Sequence, residues 1–178
     1  MAPPPDGRRV RGDRRRREIL AATLRVVERD GVAGVSHRSV AREAGVPTTS
    51  TTYYYATLDE LLIATLTWSA DEMAASFREV PLTPAAVARF IADAAGAHRG
   101  RTLAEYELYL LAARRPELRE AARRWVSLMA EVAGPRDPVA LRAVLAGLDG
   151  LLIQALIADF PPMAQDLEPV VSLLMLGG

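Results

Sequence analysis

The chain has 178 residues, enough for one domain or two small ones, and is half hydrophobic and a quarter charged, as globular proteins are. All 22 basic residues are arginines; 11 of them face 6 acids in residues 1–57 and 11 face 16 acids in residues 58–178, so a basic end of +5 precedes a body of −5. The absence of cysteine excludes disulfides, thiolate metal sites and cysteine nucleophiles, and two distant histidines, His37 and His98, offer no metal-binding spacing, so neither metal nor cofactor is expected.

Residues 1–13 read as a disordered basic arm, because Pro3, Pro4, Pro5 and Gly7 oppose a helix. The arm has none of the apolar character of a secretion signal, and a soluble, cytoplasmic protein is expected. Leu20, Leu24 and Val27 then recur at helical spacing up to Gly31. Further helices are expected near 37–44, 48–54, 58–80, 84–98, 102–114, 116–133, 138–160 and 166–176, about nine with the first at 14–30. Thr57-x-x-Glu60 and Thr102-x-x-Glu105 read as capping boxes, and Thr83-Pro84 and Asp137-Pro138 as N-caps followed by proline at the first helical position. No sustained alternation or hairpin turn signals a strand, so the fold class is all-α. The apolar run from Val139 to Ala158 is long enough to span a bilayer, but it carries Arg142, Asp149 and Gln154, and no membrane segment is expected.

Residues 36–55 hold the densest functional signal. Ser36 is placed to cap a short helix whose Val40, Ala41 and Ala44 face a core; Gly45 supplies a left-handed stop, and Pro47 opens the next helix. Helix, tight glycine turn, helix is the arrangement that lays its second helix in a DNA major groove. That second helix is a run of short hydroxyls, Thr48, Thr49, Ser50, Thr51 and Thr52, poor in helix propensity but able to bond phosphates and base edges. A solvated threonine-rich turn is the competing reading; the basic N-terminal half favours DNA. His37 is placed either to approach a phosphate or to sit in an exposed capping turn. Arg14 to Arg17 read either as DNA contacts or as a solvated helix entry.

With these residues in view, about 15–66 resembles the DNA-binding region of TetR-type (tetracycline-repressor-like) transcriptional regulators. The matching features are Arg-Glu-Ile-Leu-Ala-Ala at 17–22, Gly31, Ser36, Val40-Ala41, Ala44-Gly45-Val46, and Tyr53-Tyr54-Tyr55 followed by Leu58-Asp-Glu-Leu-Leu. The resemblance implies an N-terminal three-helix helix-turn-helix domain over 14–57 and a helical effector-binding and dimerisation domain over 58–178. It further implies a homodimer reading a palindromic double-stranded operator, most often as a repressor. Carried over by position, Arg38 contacts base or phosphate, Thr48, Thr49 and Ser50 begin the base-reading face, Tyr53 and Tyr54 face phosphate, and Tyr55 packs inward. Two positions depart from the pattern: Thr52 stands where a tyrosine is usual, and Leu58 replaces a frequent phosphate-contacting lysine. Ser36, His37 and Thr52 complete the expected DNA-binding set, and the arginines at 8, 9, 11 and 14–17 are placed to compensate as a flexible arm, entering a minor groove.

In the body, helix 138–160 is apolar nearly all round, which requires burial on more than one side. Leu145, Leu148, Leu152 and Leu156, with Leu173 of the last helix, are the expected dimer contacts, with Gly147 and Gly150 allowing close approach; a central core helix in a monomer is the alternative. Trp68, Phe77, Tyr106, Tyr109, Trp125 and Met129 are the candidate lining of an effector cavity for a small apolar or aromatic ligand, and equally candidate core filler. No phosphate loop, Gly-x-Ser-x-Gly or paired carboxylates support an enzyme. A dimeric DNA-binding module without an effector remains the second reading.

Overall fold

The computed structural model describes residues 7–134 and 136–176. Among these, nine α-helices and two short 3-10 turns occur and no strand: α1 Gly7–Asp30, α2 His37–Ala44, α3 Thr48–Tyr54, α4 Leu58–Arg78, α5 Pro84–Ala95, α6 Arg99–Leu111, α7 Arg119–Ala133, α8 Pro138–Ile157 and α9 Ala164–Leu176. The all-α expectation holds. Compactness groups residues 1–68 with 104–121 as one unit, and 69–103 with 122–178 as the other.

In the first unit, α1 presents Ile19, Ala22, Thr23, Val26 and Val27 inward, a 3–4 spacing that makes one buried stripe. Val40 and Ala41 of α2, Leu61, Leu62 and Leu66 of α4, and Leu108 and Leu118 complete the unit's core. The start of α1 differs from expectation. α1 begins at Gly7 rather than near 14: past the prolines, residues 8–18 are mostly arginine, a good helix former, and Glu18 pairs with Arg14 at 3.3 Å and Arg15 at 3.1 Å one turn back. The expected arm is therefore helical from residue 7; residues 1–6 lie outside the described residues. At α4 the Thr57 hydroxyl accepts from the Glu60 N–H at 3.1 Å, and the Glu60 carboxylate accepts from the Ala56 N–H at 2.8 Å, so that helix is stapled as its sequence indicates.

In the second unit, Val87, Ala88 and Ile91 of α5 pack on Leu167, Val171 and Met175 of α9, with Phe77, Leu148, Leu151 and Leu152 around them. The Thr83 hydroxyl accepts from the Ala86 N–H, and Asp137 Oδ1 accepts from Val139 and Ala140 at 2.9 and 3.1 Å, as both caps predict. The box expected at Thr102 does not form. α6 starts three residues earlier, at Arg99, so Thr102 lies inside the helix, where its buried hydroxyl donates to the Ala94 carbonyl at 2.8 Å. Arg99 donates to the Leu156 carbonyl near the end of α8, and Arg136 to the Met175 carbonyl near the end of α9, each a cation at a negative helix terminus. Gly147 brings α8 onto α9: a Cβ there would stand 2.6 Å from Leu174 Cδ2. Its close approach thus serves packing within the protomer, whereas Gly150 has open space beside it.

Candidate nucleic-acid interface

The helix-turn-helix is built by local chemistry. The Ser36 hydroxyl accepts from the Ser39 N–H at 3.0 Å, and the Ser39 hydroxyl accepts from the Ser36 N–H at 2.9 Å, a reciprocal box made by two serines. Gly45 ends α2 at φ 64°, ψ 36°, with its N–H toward the Arg42 carbonyl and the Val46 N–H donating to Ala41 at 3.0 Å, which closes a Schellman turn. Three residues later α3 begins. Its anchor is Thr51, fully buried, whose hydroxyl donates to the Thr48 carbonyl at 2.8 Å and lies 3.3 Å from the His37 carbonyl. One threonine of the run is thus spent on packing, and Thr48, Thr49 and Thr52 are left exposed, with Ser50 half-buried.

The remaining expected DNA contacts fall around this surface. Arg38 is exposed on the first turn of α2; Ser36 and His37 are half-buried, and His37 Nδ1 is buried with no hydrogen-bond partner among the described residues. Tyr53 is 82% exposed, and Tyr54, half-buried, meets it edge-on at 5.2 Å between ring centres. Tyr55 turns inward, and burial pushes its phenol pKa up.

α2 is held to α1 by charge. Glu43 accepts from Arg25 and from Arg29, both at 2.8 Å, while Arg29 also pairs with its neighbour Asp30. The hydrogen bonds from these arginines hold the Glu43 and Asp30 carboxyls below their ordinary values. From α6, Glu107 accepts the Val32 N–H at 2.7 Å and so fixes the segment that leads into α2. Sequence reasoning missed Ser39, Glu43 and Glu107: the first two are ordinary helix residues by type, and the third is 75 positions from its partner. It also missed the Arg16 guanidinium over the Tyr54 ring, 5.6 Å from its centre.

The candidate effector residues divide between the units. Trp68, Tyr106 and Tyr109 belong to the first; the two tyrosines meet edge-on at 6.5 Å, and the buried Trp68 Nε1 has no partner among the described residues. Phe77, Trp125 and Met129 belong to the second, where Phe77 meets Phe90 edge-on at 4.9 Å and Trp125 is buried. Of the expected dimer contacts, Leu173 is 71% exposed and Leu145 half-buried, whereas Leu148 and Leu152 pack on their own unit's core. Leu156 is 3% exposed, a core residue of the protomer with almost no surface left for a second copy. α8 turns that side inward and leaves a different stripe open.

Residues 82–176 match the family model described as "Tetracyclin repressor-like, C-terminal domain". Among solved structures, the multidrug binding protein EbrR complexed with ethidium is 38% identical, with TM-score 0.75, over 90% of this chain and 97% of that one. The same protein complexed with imidazole aligns with TM-score 0.73 at 40% identity, covering 90% and 94%. A TetR-family member from Streptomyces coelicolor A3 is 40% identical with TM-score 0.76, covering 90% and 97%. The HTH-type transcriptional regulator PksA of Bacillus subtilis (strain 168) is 42% identical over 50 residues, 28% of this chain and only 24% of that protein.

Proposed function

This chain belongs to the TetR family of transcriptional regulators, and from that premise we propose that it is a homodimeric, cytoplasmic repressor released from a palindromic operator by a small aromatic effector. The observation that carries the DNA-binding part is the division of labour on α3. Thr51 is consumed by the core and Thr52 bonds back to the Thr49 carbonyl at 3.2 Å, while the side chains of Thr48, Thr49 and Tyr53 stay exposed. Hydroxyls presented from a short helix behind a rigid glycine turn suit base edges and phosphates. In this reading residues 14–57 read DNA, and 58–178 bind the effector and the second copy.

Dimerisation is supported by what α8 leaves open. Val139, Ala143, Ala146, Gly150, Ile153 and Ile157 recur at spacings of four and three, and Ile157 is 78% exposed. α9 adds Val170 and Leu173. An uncovered apolar stripe with small residues at its centre suits a second helix pair approaching closely. This stripe also accounts for why the most apolar window of this helix, of mean hydropathy 1.7, is only 17% buried.

The effector rests on EbrR having been crystallised with ethidium, and on the aromatic content of α4, α6 and α7. The alternative is a dimeric DNA-binding module without an effector. Selection of bound fragments from random duplex DNA tests the first part; a palindrome is expected, and binding without sequence preference refutes it. Titration of the protein–operator complex with ethidium tests the second. Release of DNA, with a raised unfolding midpoint of the free protein, is expected; a flat response favours the module.

A further inference from the structure

Beside the recognition helix, α1 carries a recess that brings together residues expected to meet DNA separately, the arginines of the arm and Tyr54. Arg11, Gly12, Arg14, Arg15 and Tyr54 line an open notch of about 290 Å³. Gly12 forms its floor: even a Cβ there would lie 4.0 Å from the Tyr54 hydroxyl. Arg16 lies over the Tyr54 ring and steadies it, so that the hydroxyl points at the notch from a fixed side chain. Glu18 engages Arg14 and Arg15, and among the described residues no acid pairs with Arg11.

The geometry points to this notch as a binding site for a DNA backbone phosphate, held by Arg11 and Arg15 and by the Tyr54 hydroxyl. The inference rests on the DNA-binding reading above. Two observations carry it. The arginines stand on a helix from Gly7 onward, and a helix about 10–12 Å across does not fit a minor groove about 6 Å wide, so they meet the backbone rather than the groove floor. Tyr54 closes α3 six residues after Thr48, about 9 Å along the axis, which sets the notch at the wall of a major groove about 12 Å wide. Glu18 then competes with the phosphate for Arg14 and Arg15.

The test uses the full chain and the palindromic duplex it selects, with dissociation constants measured across a salt series. Arg11→Gln is expected to weaken binding and to lower the slope of log K against log salt by about two, one lost contact per protomer of the dimer. Gly12→Leu fills the notch without changing charge or weakening the helix, and is expected to weaken binding about tenfold or more. Glu18→Gln is expected to tighten it. A scrambled duplex should respond to Arg11→Gln in the same proportion, because phosphates carry no sequence. Wild-type affinity and slope in both Arg11→Gln and Gly12→Leu would overturn the notch while leaving the selected palindrome intact. A loss confined to the palindrome would overturn it too, since it would make Arg11 a base reader. If the wild-type chain selects no sequence at all, the DNA-binding reading itself fails.

Discussion

Gly45 and Glu43 show how single positions hold the reading head. Gly45 sits at φ 64°, where a Cβ is crowded by its own backbone, although nothing else lies within 4 Å of it. Gly45→Ala is therefore expected to cost about 1–2 kcal/mol in chemical denaturation, all of it from backbone strain. Glu43 acts through charge. Its folded pKa is depressed by the hydrogen bonds from Arg25 and Arg29, so its contribution is present above the unfolded carboxylate value of about 4.3 and is lost as pH falls through the folded one. Glu43→Gln is expected to lower the unfolding midpoint at neutral pH, with the gap to wild type closing in acid below about pH 4. A gap that stays unchanged once acid has protonated Glu43 in the folded protein would show that the side chain matters by shape instead.

At the scale of elements, legibility followed whether the signal was local. The bounds of α2 and α3 were readable because Ser36, Gly45 and Pro47 punctuate within a few residues. α1 was misjudged at its start because composition near Pro3 to Pro5 suggested disorder, while the Arg–Glu pairs that support the helix lie further on, between residues 14 and 18. Thr102 looked like a cap by spacing alone, yet its partner is the Ala94 carbonyl of α5, which no local pattern reveals. For α8 the composition announced burial on several sides without saying which residue faces which. Leu156 went inward and Ile157 outward. Ile157→Glu is accordingly expected to shift the protein from dimer toward monomer in sedimentation velocity, whereas Leu156→Ala is expected to cost about 2–5 kcal/mol of stability through the cavity it leaves. On α8 and α9, Gly147→Ala drives a methyl into Leu174 and should cost about 1–3 kcal/mol by overpacking.

For the whole molecule, regulation in the proposed reading is a coupling between effector and operator, and coupling is reciprocal. If ethidium weakens operator binding by some factor, saturating operator must weaken ethidium binding by the same factor. Fluorescence titration with and without the palindrome checks this, and unequal factors would mean that the dye acts on DNA rather than on the protein. The residues proposed for the effector were chosen by type, which says nothing of their grouping: Trp68 stands with Tyr106 and Tyr109 in one compact unit, and Phe77 with Trp125 in the other. Only tertiary packing says which aromatic side chains are buried and beside whom.

Glu107 reaches the Val32 N–H from a helix that the ribosome makes much later. The unit that carries α2 and α3 is assembled from two stretches of chain, and its second stretch ends at Ala121, 53 residues after Trp68. At synthesis rates of about 5–20 residues per second, the nascent head waits roughly 3–10 s for its missing buttress. A half-made chain therefore carries α2 and α3 without that support, and a helix-turn-helix excised at the end of α3 and grafted onto another body would arrive without it too.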